Sequence, residues 1–154
     1  WAELRNFSER FRKADDYERA LKWINASINA RMIDMSYEDR GVKYDSTLAS
    51  LYTLNGIIRM RMDDYRTALK LFVTAMVHYE NNPTKSLELK IALTLKRLGL
   101  TRETFDKAVA CETRQDLAQA VSILDAAMAD HPMPEKVPFS RPARKTVMQP
   151  SLPA

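Results

Sequence analysis

Residues that break regular structure are scarce in the first 130 residues of this chain. The whole chain of 154 residues has three glycines and seven prolines, and six of the prolines lie at or beyond Pro132. Because tight turns between β-strands depend on such residues, their scarcity argues against a fold with many strands. The sequence therefore predicts an all-helical fold.

Cysteine pairs and long apolar runs are absent as well. Cys111 is the only cysteine, which excludes an internal disulfide bond and leaves the compartment open, with the cytoplasm as the default expectation. No run of about 18 apolar residues occurs, so no segment is predicted to span a membrane. The chain begins at Trp1 rather than at a methionine, so a signal peptide or a membrane anchor upstream of it is an open alternative.

An excess of positive charge is missing from most of the chain. The net charge of +4 is concentrated in residues 132–154, where Lys136, Arg141, Arg144 and Lys145 stand against Glu135. The first 131 residues keep 20 of the 24 basic and 19 of the 20 acidic side chains. Proteins that bind nucleic acid usually concentrate basic residues on a face of the fold. Nucleic acid is therefore not the expected partner, although binding through the basic tail is an alternative.

Motifs that carry catalysis or bind cofactors are not found in the sequence. It has no glycine-rich phosphate loop, no nucleophile elbow and no catalytic pair of carboxylates. His78 and His131 lack a carboxylate or a cysteine at metal-ligand spacing, and Cys111 lies among small apolar residues as a packing residue would. We therefore expect a protein that is not an enzyme and that binds no metal or cofactor.

Helical periodicity is what the sequence does contain, from its start to about residue 130. Apolar side chains recur every three or four residues, and residues 36–44 interrupt the pattern. Asp45 and Thr84 are placed as helix N-caps, and Gly99 stands where a helix ends. Thr113, with Asp116 three residues later, resembles a capping box that opens the last helix. These signals predict seven helices that pack as antiparallel pairs.

The methionines divide into two groups. Four of the eight fall on the apolar stripes and are expected to fill the core; these are Met32, Met62, Met76 and Met128. Met60 lies off the stripe of its helix, and we expect it to be exposed.

Three segments of the chain, 15–27, 63–75 and 115–127, align with one another. Each has a small residue, a large apolar residue four positions later and a second small residue three positions beyond: Ala20, Ile24 and Ser27; Ala68, Phe72 and Ala75; Ala120, Leu124 and Ala127. A small residue lets a neighbouring helix approach closely, and the large one fills the gap one turn away. Units of this kind cannot cover their own apolar face, so they stack on their neighbours.

These segments resemble the second helix of the tetratricopeptide repeat, in which alanine is followed four positions later by phenylalanine and then by a closing proline. Ala68 and Phe72 match that pattern, and Pro132 stands 12 residues after Ala120, where the family has its proline. In the preceding helix the family's glycine is matched by Gly56. The resemblance covers most of residues 1–132 and implies a tetratricopeptide-like α-solenoid over residues 1–131. Residues 132–154, rich in proline, are expected to form an extended or disordered tail.

The spacing of the units departs from that family. Ala20 and Ala68 are 48 residues apart, and Ala68 and Ala120 are 52 apart, against a family period of about 34. A longer helix and the interruption at 36–44 explain the first excess. The second predicts an additional helix, 84–98, which either stands between two units or pairs with 101–112 while the last helix caps the array.

The resemblance also implies a binding groove, because in this family the first helix of each pair lines a concave surface that holds a partner segment. The corresponding positions here are Arg5, Glu9, Arg12, Thr53, Ile57, Met60, Arg61, Leu89, Leu93, Lys96 and Arg97. With apolar centres and basic edges, this surface is expected to bind a peptide with hydrophobic anchors. In the alternative interpretation Ile57, Leu89 and Leu93 belong to the core.

The function implied by the resemblance is that of a non-catalytic scaffold or adaptor that binds another polypeptide, in a chaperone-like role in export or assembly. Two further hypotheses are the soluble arm of a membrane-anchored assembly protein and nucleic-acid binding through the tail. The sequence predicts no oligomeric state.

Overall fold

A computed structural model describes residues 1–38 and 44–130 of the chain. This part of the chain contains seven helices and no strand: α1 (Ala2–Lys13), α2 (Tyr17–Glu38), α3 (Ser46–Arg61), α4 (Tyr65–His78), α5 (Lys85–Leu98), α6 (Arg102–Thr113) and α7 (Leu117–Asp130). The predicted all-helical class and the number of helices are confirmed. None of the helices in the described part is both long and apolar enough to cross a lipid bilayer. His131 and the predicted tail, 132–154, lie outside the described residues.

Three pairs of consecutive helices, α1 with α2, α3 with α4 and α6 with α7, pack as hairpins. They share one kind of turn, a linker of three residues in which the second has a left-handed backbone and the third is an aspartate: Ala14-Asp15-Asp16, Met62-Asp63-Asp64 and Arg114-Gln115-Asp116. In each linker the aspartate N–H donates to the carbonyl oxygen five residues earlier, at 2.8 to 2.9 Å. The aspartate side chain accepts from the N–H three residues later, at 3.1 to 3.4 Å. The linker thus satisfies polar groups that the ends of both helices leave open.

The capping box predicted at Thr113 and Asp116 is wrong. Helix α6 continues through Thr113, whose hydroxyl donates to the Val109 carbonyl oxygen at 2.8 Å. Asp116 itself caps α7, as its counterparts Asp16 and Asp64 cap α2 and α4. The repeated turn, rather than a box within one helix, explains this aspartate.

The helix ends predicted at Asp45, Thr84 and Gly99 are confirmed. The side chain of Asp45 accepts from the Leu48 N–H at 3.0 Å, and that of Thr84 accepts from the Leu87 N–H at 3.2 Å. Gly99 has a left-handed backbone with a φ of 70°, as a glycine that terminates a helix usually does. Helix α2 runs further than predicted, because its helical backbone continues through residues 36 to 38.

In each hairpin the two helices contact each other through small residues on both helices. The residue 12 positions before each repeat alanine is also small, and both members of every pair are buried: Ser8 and Ala20, Gly56 and Ala68, Ala108 and Ala120. In the first hairpin the Ser8 hydroxyl donates to the Ala20 carbonyl oxygen at 2.7 Å. In the second, a Cβ atom added to Gly56 would lie 2.4 Å from Cε1 of Phe72. The helices therefore pack so closely that a larger side chain at these positions would separate them.

Helix α5 stands between the second and the third hairpin. It packs mainly against α4 and also contacts α3, while α6 packs against α4 and α7. This arrangement supports the prediction in which 84–98 lies between units, and the alternative pairing with 101–112 is wrong. The guanidinium of Arg102, at the start of α6, binds both carboxylate oxygens of Glu88 on α5, at 2.7 and 3.1 Å. This ion pair joins α5 to the third hairpin.

Two of the five predictions for methionine are wrong and two are confirmed, while Met62 is half-buried and packs against the core. Met76 and Met128 are buried as expected, but Met32 is 47% exposed and Met60 is only 9% exposed. The Ser27 hydroxyl donates to the carbonyl oxygen of Trp1, so α1 begins level with Ser27 and cannot cover Met32 further along α2. Met60 is covered because α3 packs against α2, α4 and α5, which bury more than one face of that helix.

We predict that Gly56→Ala lowers the free energy of unfolding by about 1 to 3 kcal/mol, because the new methyl group overlaps the Phe72 ring. Urea unfolding followed by circular dichroism measures the loss. Adding Phe72→Leu to Gly56→Ala provides space for the methyl group and should cost less than the sum of the two single changes. Additive losses would show that the two side chains do not meet.

Candidate functional site

An open cleft of about 220 Å³ lies where α5 crosses the turn between α3 and α4. Its lining residues come from all three helices and from the turn: Ile57, Met60, Arg61, Asp63, Tyr65, Lys90 and Leu93. Four of them, Ile57, Met60, Arg61 and Leu93, belong to the predicted groove. The structure thus brings together predicted residues that lie up to 36 positions apart in the sequence. We call this surface the α5 cleft.

Leucines of α5 extend the cleft onto the outer surface. Leu89 is 71% exposed and Leu93 is 53% exposed, whereas Ile91 and Leu95 of the same helix are buried. Residues four apart lie on the same side of a helix, so Leu89 and Leu93 form one continuous apolar edge. The interpretation that places these two leucines in the core is wrong. Ile57 is half-buried at the base of the cleft.

The rim of the α5 cleft is mainly basic. Arg61 and Lys90 line it, and within residues 1–38 and 44–130 Asp63 is the only acidic side chain among the lining residues. The guanidinium of Arg97 lies 5.1 Å from the centre of the Tyr65 ring, a distance typical of a cation–π contact, and Lys96 is exposed beside it. Positive charge therefore surrounds an apolar centre.

The remaining predicted groove residues do not line this cleft. Glu9 and Arg12 pair with each other on α1 at 2.8 Å, and Arg5 is half-buried on the same helix, which packs against α2. The hydroxyl of Thr53 donates to the Ala49 carbonyl oxygen at 2.8 Å. Leu89, Lys96 and Arg97 lie on α5 and are not among the lining residues of the cleft. Their role in binding stays a prediction.

A second pocket, of about 320 Å³, lies between the second and the third hairpin. We call it the junction pocket. Its lining residues come from the segment before α3, the middle of α3, the second half of α4, the end of α6, the α6–α7 turn and the start of α7: Tyr44, Tyr52, Thr74, Val77, His78, Glu112, Thr113, Gln115 and Leu117. Sequence reasoning missed this pocket, because its members are separated by up to 73 residues and share no recognisable spacing.

Among the described lining residues of the junction pocket, Glu112 is the only formally charged side chain when His78 is neutral. Its Oε1 accepts from the Thr74 hydroxyl at 3.2 Å. Its Oε2 is buried, and no residue in the described part of the chain donates a hydrogen bond to it. Burial raises the pKa of the Glu112 carboxyl above its usual value. A buried carboxylate oxygen without a donor destabilises a fold, so this one requires a physical explanation.

His78 does not supply the missing positive charge. Burial lowers the pKa of its imidazole, and its Nδ1 accepts from the Asp45 N–H at 3.2 Å, as a neutral ring does. The ring stacks on Tyr52, with 5.8 Å between the ring centres. The nearby Asp45 carboxylate is bound by the Arg31 guanidinium at 2.9 and 3.0 Å, which holds the pKa of Asp45 below its usual value.

Comparisons with protein-family models, with curated proteins and with solved structures found no match for the chain. Within residues 1–38 and 44–130, no group of three or more His, Cys, Asp or Glu side chains is arranged to hold a metal ion. The two cavities are therefore the features of this chain that point to a function.

We predict that Glu112→Gln raises the thermal unfolding midpoint of the free protein at pH 7, because it removes a poorly paired carboxylate. A raised folded-state pKa contributes stability that is present below the ordinary carboxyl pKa and lost as the pH rises through the folded value. The advantage of the variant should therefore be smallest near pH 4 and grow towards pH 7. Glu103→Gln, an exposed control on the same helix, should show no such growth. A midpoint at pH 7 below that of the native protein would contradict this account of Glu112.

Proposed function

We propose that the protein is a non-catalytic scaffold that binds a segment of another polypeptide in the α5 cleft. The segment presents an apolar side chain to the cleft and acidic side chains to its rim. The observation that carries the proposal is the exposure of Leu89 and Leu93 beside a cavity with an apolar base. Apolar side chains grouped at a cavity, rather than scattered singly, are characteristic of interaction surfaces.

The size of the α5 cleft favours a side chain over a small molecule. Its volume of about 220 Å³ is below the roughly 300 to 1,000 Å³ of typical small-molecule sites. One large apolar side chain of a peptide fits such a space, and the edge formed by Leu89 and Leu93 offers a place for a second one. Peptides bound in grooves between helices commonly use anchors of this kind.

The charges at the rim determine which flanking residues the peptide carries. Arg61, Lys90 and Arg97 outnumber Asp63 around the apolar centre. Acidic residues on either side of the anchor would be attracted to this rim, and basic ones would be repelled. The proposal therefore specifies an acidic-apolar-acidic segment.

A tetratricopeptide-like solenoid is the architecture that we propose for the hairpins. All three hairpins have a small residue on the first helix, an alanine 12 positions later on the second helix, and the same kind of turn between the helices. The contact between Gly56 and Phe72 joins two positions of the family's pattern. Helix α5 departs from that pattern, and in this proposal it serves as one wall of the groove. A chaperone-like role in export or assembly is compatible with binding of this kind.

We predict that peptides selected from a random displayed library on the native protein share an apolar residue flanked by Asp or Glu. Leu93→Asp should weaken their binding at least tenfold, measured by fluorescence polarisation, because it places a carboxylate in the apolar centre. Ala92→Asp is the matched control, since Ala92 is an exposed neighbour on α5 outside the cleft lining. Equal binding by both variants, or a selected consensus rich in Lys and Arg, would show that the α5 cleft is not the proposed binding site.

A further inference from the structure

We propose that the junction pocket binds an alkyl cation, an ammonium or guanidinium group on a short aliphatic chain. The charged end binds the carboxylate of Glu112, and the aliphatic chain lies against Tyr52, Val77 and Leu117. This site shares no lining residue with the α5 cleft, so the inference does not depend on the proposed function.

The Glu112 carboxylate has a hydrogen-bond donor on only one of its two oxygens within the described residues. One oxygen has the Thr74 hydroxyl as its donor, and the other has none among residues 1–38 and 44–130 although it is buried at the pocket. A bound ammonium or guanidinium would donate to that oxygen and offset its charge. Hydrogen bonds between two ionised groups are roughly twice as strong as those between neutral ones.

The charges and rings that line the pocket favour a positively charged ligand. Among the residues that the structure describes, the lining includes no lysine or arginine, and the Nδ1 of His78 accepts from the Asp45 N–H, as a neutral ring does. The carboxylate of Glu112 would repel an anion there. The faces of aromatic rings attract cations, and the lining includes the rings of Tyr44, Tyr52 and His78. Charge and aromatic content therefore favour the same class of ligand.

The lining of the pocket favours an organic cation over a metal ion. Hard metal ions take several oxygen ligands, usually six or more for calcium, whereas the described residues of this pocket offer a single carboxylate. Val77 and Leu117 contribute apolar surface instead, and Leu117 is exposed. A volume of about 320 Å³ is at the lower end of the range for small-molecule sites. An organic cation with an aliphatic chain fits these properties better than a metal ion.

Titration with n-butylammonium tests the inference on the full chain. The probe should shift the amide NMR signals of Tyr52, His78 and Glu112 in a saturable way and raise the unfolding midpoint, because a ligand of the folded state stabilises it. The uncharged analogue 1-butanol, which has the same alkyl chain, should bind at least tenfold more weakly. Shifts confined to other parts of the chain, or equal binding of the alcohol, would overturn the proposal. The shifts are measured on the native protein, so this result does not depend on how any variant folds.

Glu112→Gln gives a second and sharper test. It should reduce n-butylammonium binding at least tenfold, whereas Glu103→Gln, the same change at an exposed position of α6, should leave it unchanged. Retention of binding by Glu112→Gln would contradict the role of the carboxylate. A peptide with a central lysine distinguishes the natural source: tighter binding than n-butylammonium assigns the cation to a polypeptide, and equal binding assigns it to a free amine.

Discussion

The close contact between the two helices of each hairpin is the constraint on which the rest of the structure depends. In the second hairpin the backbone at Gly56 lies against the ring of Phe72, and no Cβ fits between them. In the first, the hydroxyl of Ser8 reaches the carbonyl oxygen of Ala20, which is possible only when the helices nearly touch. A common turn holds this spacing in all three hairpins. Rigid pairs of helices result, and the cavities lie where these pairs meet other elements.

Both cavities follow from helices that do not fit into a simple array of pairs. Helix α5 belongs to none of the three hairpins and packs across the second one. One side of it is therefore buried, and another side exposes Leu89 and Leu93 to solvent. The third hairpin then packs against α4, and at that contact the half-buried Glu112 has one buried oxygen with no donor among the described residues. Exposed leucines and a buried, poorly paired carboxylate both cost stability. Features of this kind are typical of binding sites, where stability is lost in exchange for recognition.

Local features of the fold were predictable from the sequence, and those that depend on tertiary packing were not. The caps at Asp45, Thr84 and Gly99 follow from residues a few positions apart and are confirmed. The exposure of Met32 and the burial of Met60 depend on which other helices lie alongside, and periodicity within one helix cannot reveal that. The α5 cleft was partly predicted, because the family resemblance places Ile57 and Leu93 on the inner surface. Glu112 was missed, because its environment is assembled from three distant segments.

The most direct test of this account is the exposure of the apolar side chains of α5 in solution. Methyl NMR signals can be recorded with and without a soluble paramagnetic agent, which broadens the signals of groups that it can approach. The account predicts strong broadening for Leu89 and Leu93 and little for Ile91 and Leu95, the buried residues between and beyond them. Equal protection of all four side chains would show that the leucines are covered within the free protein, and the cleft would then have no apolar edge for a partner.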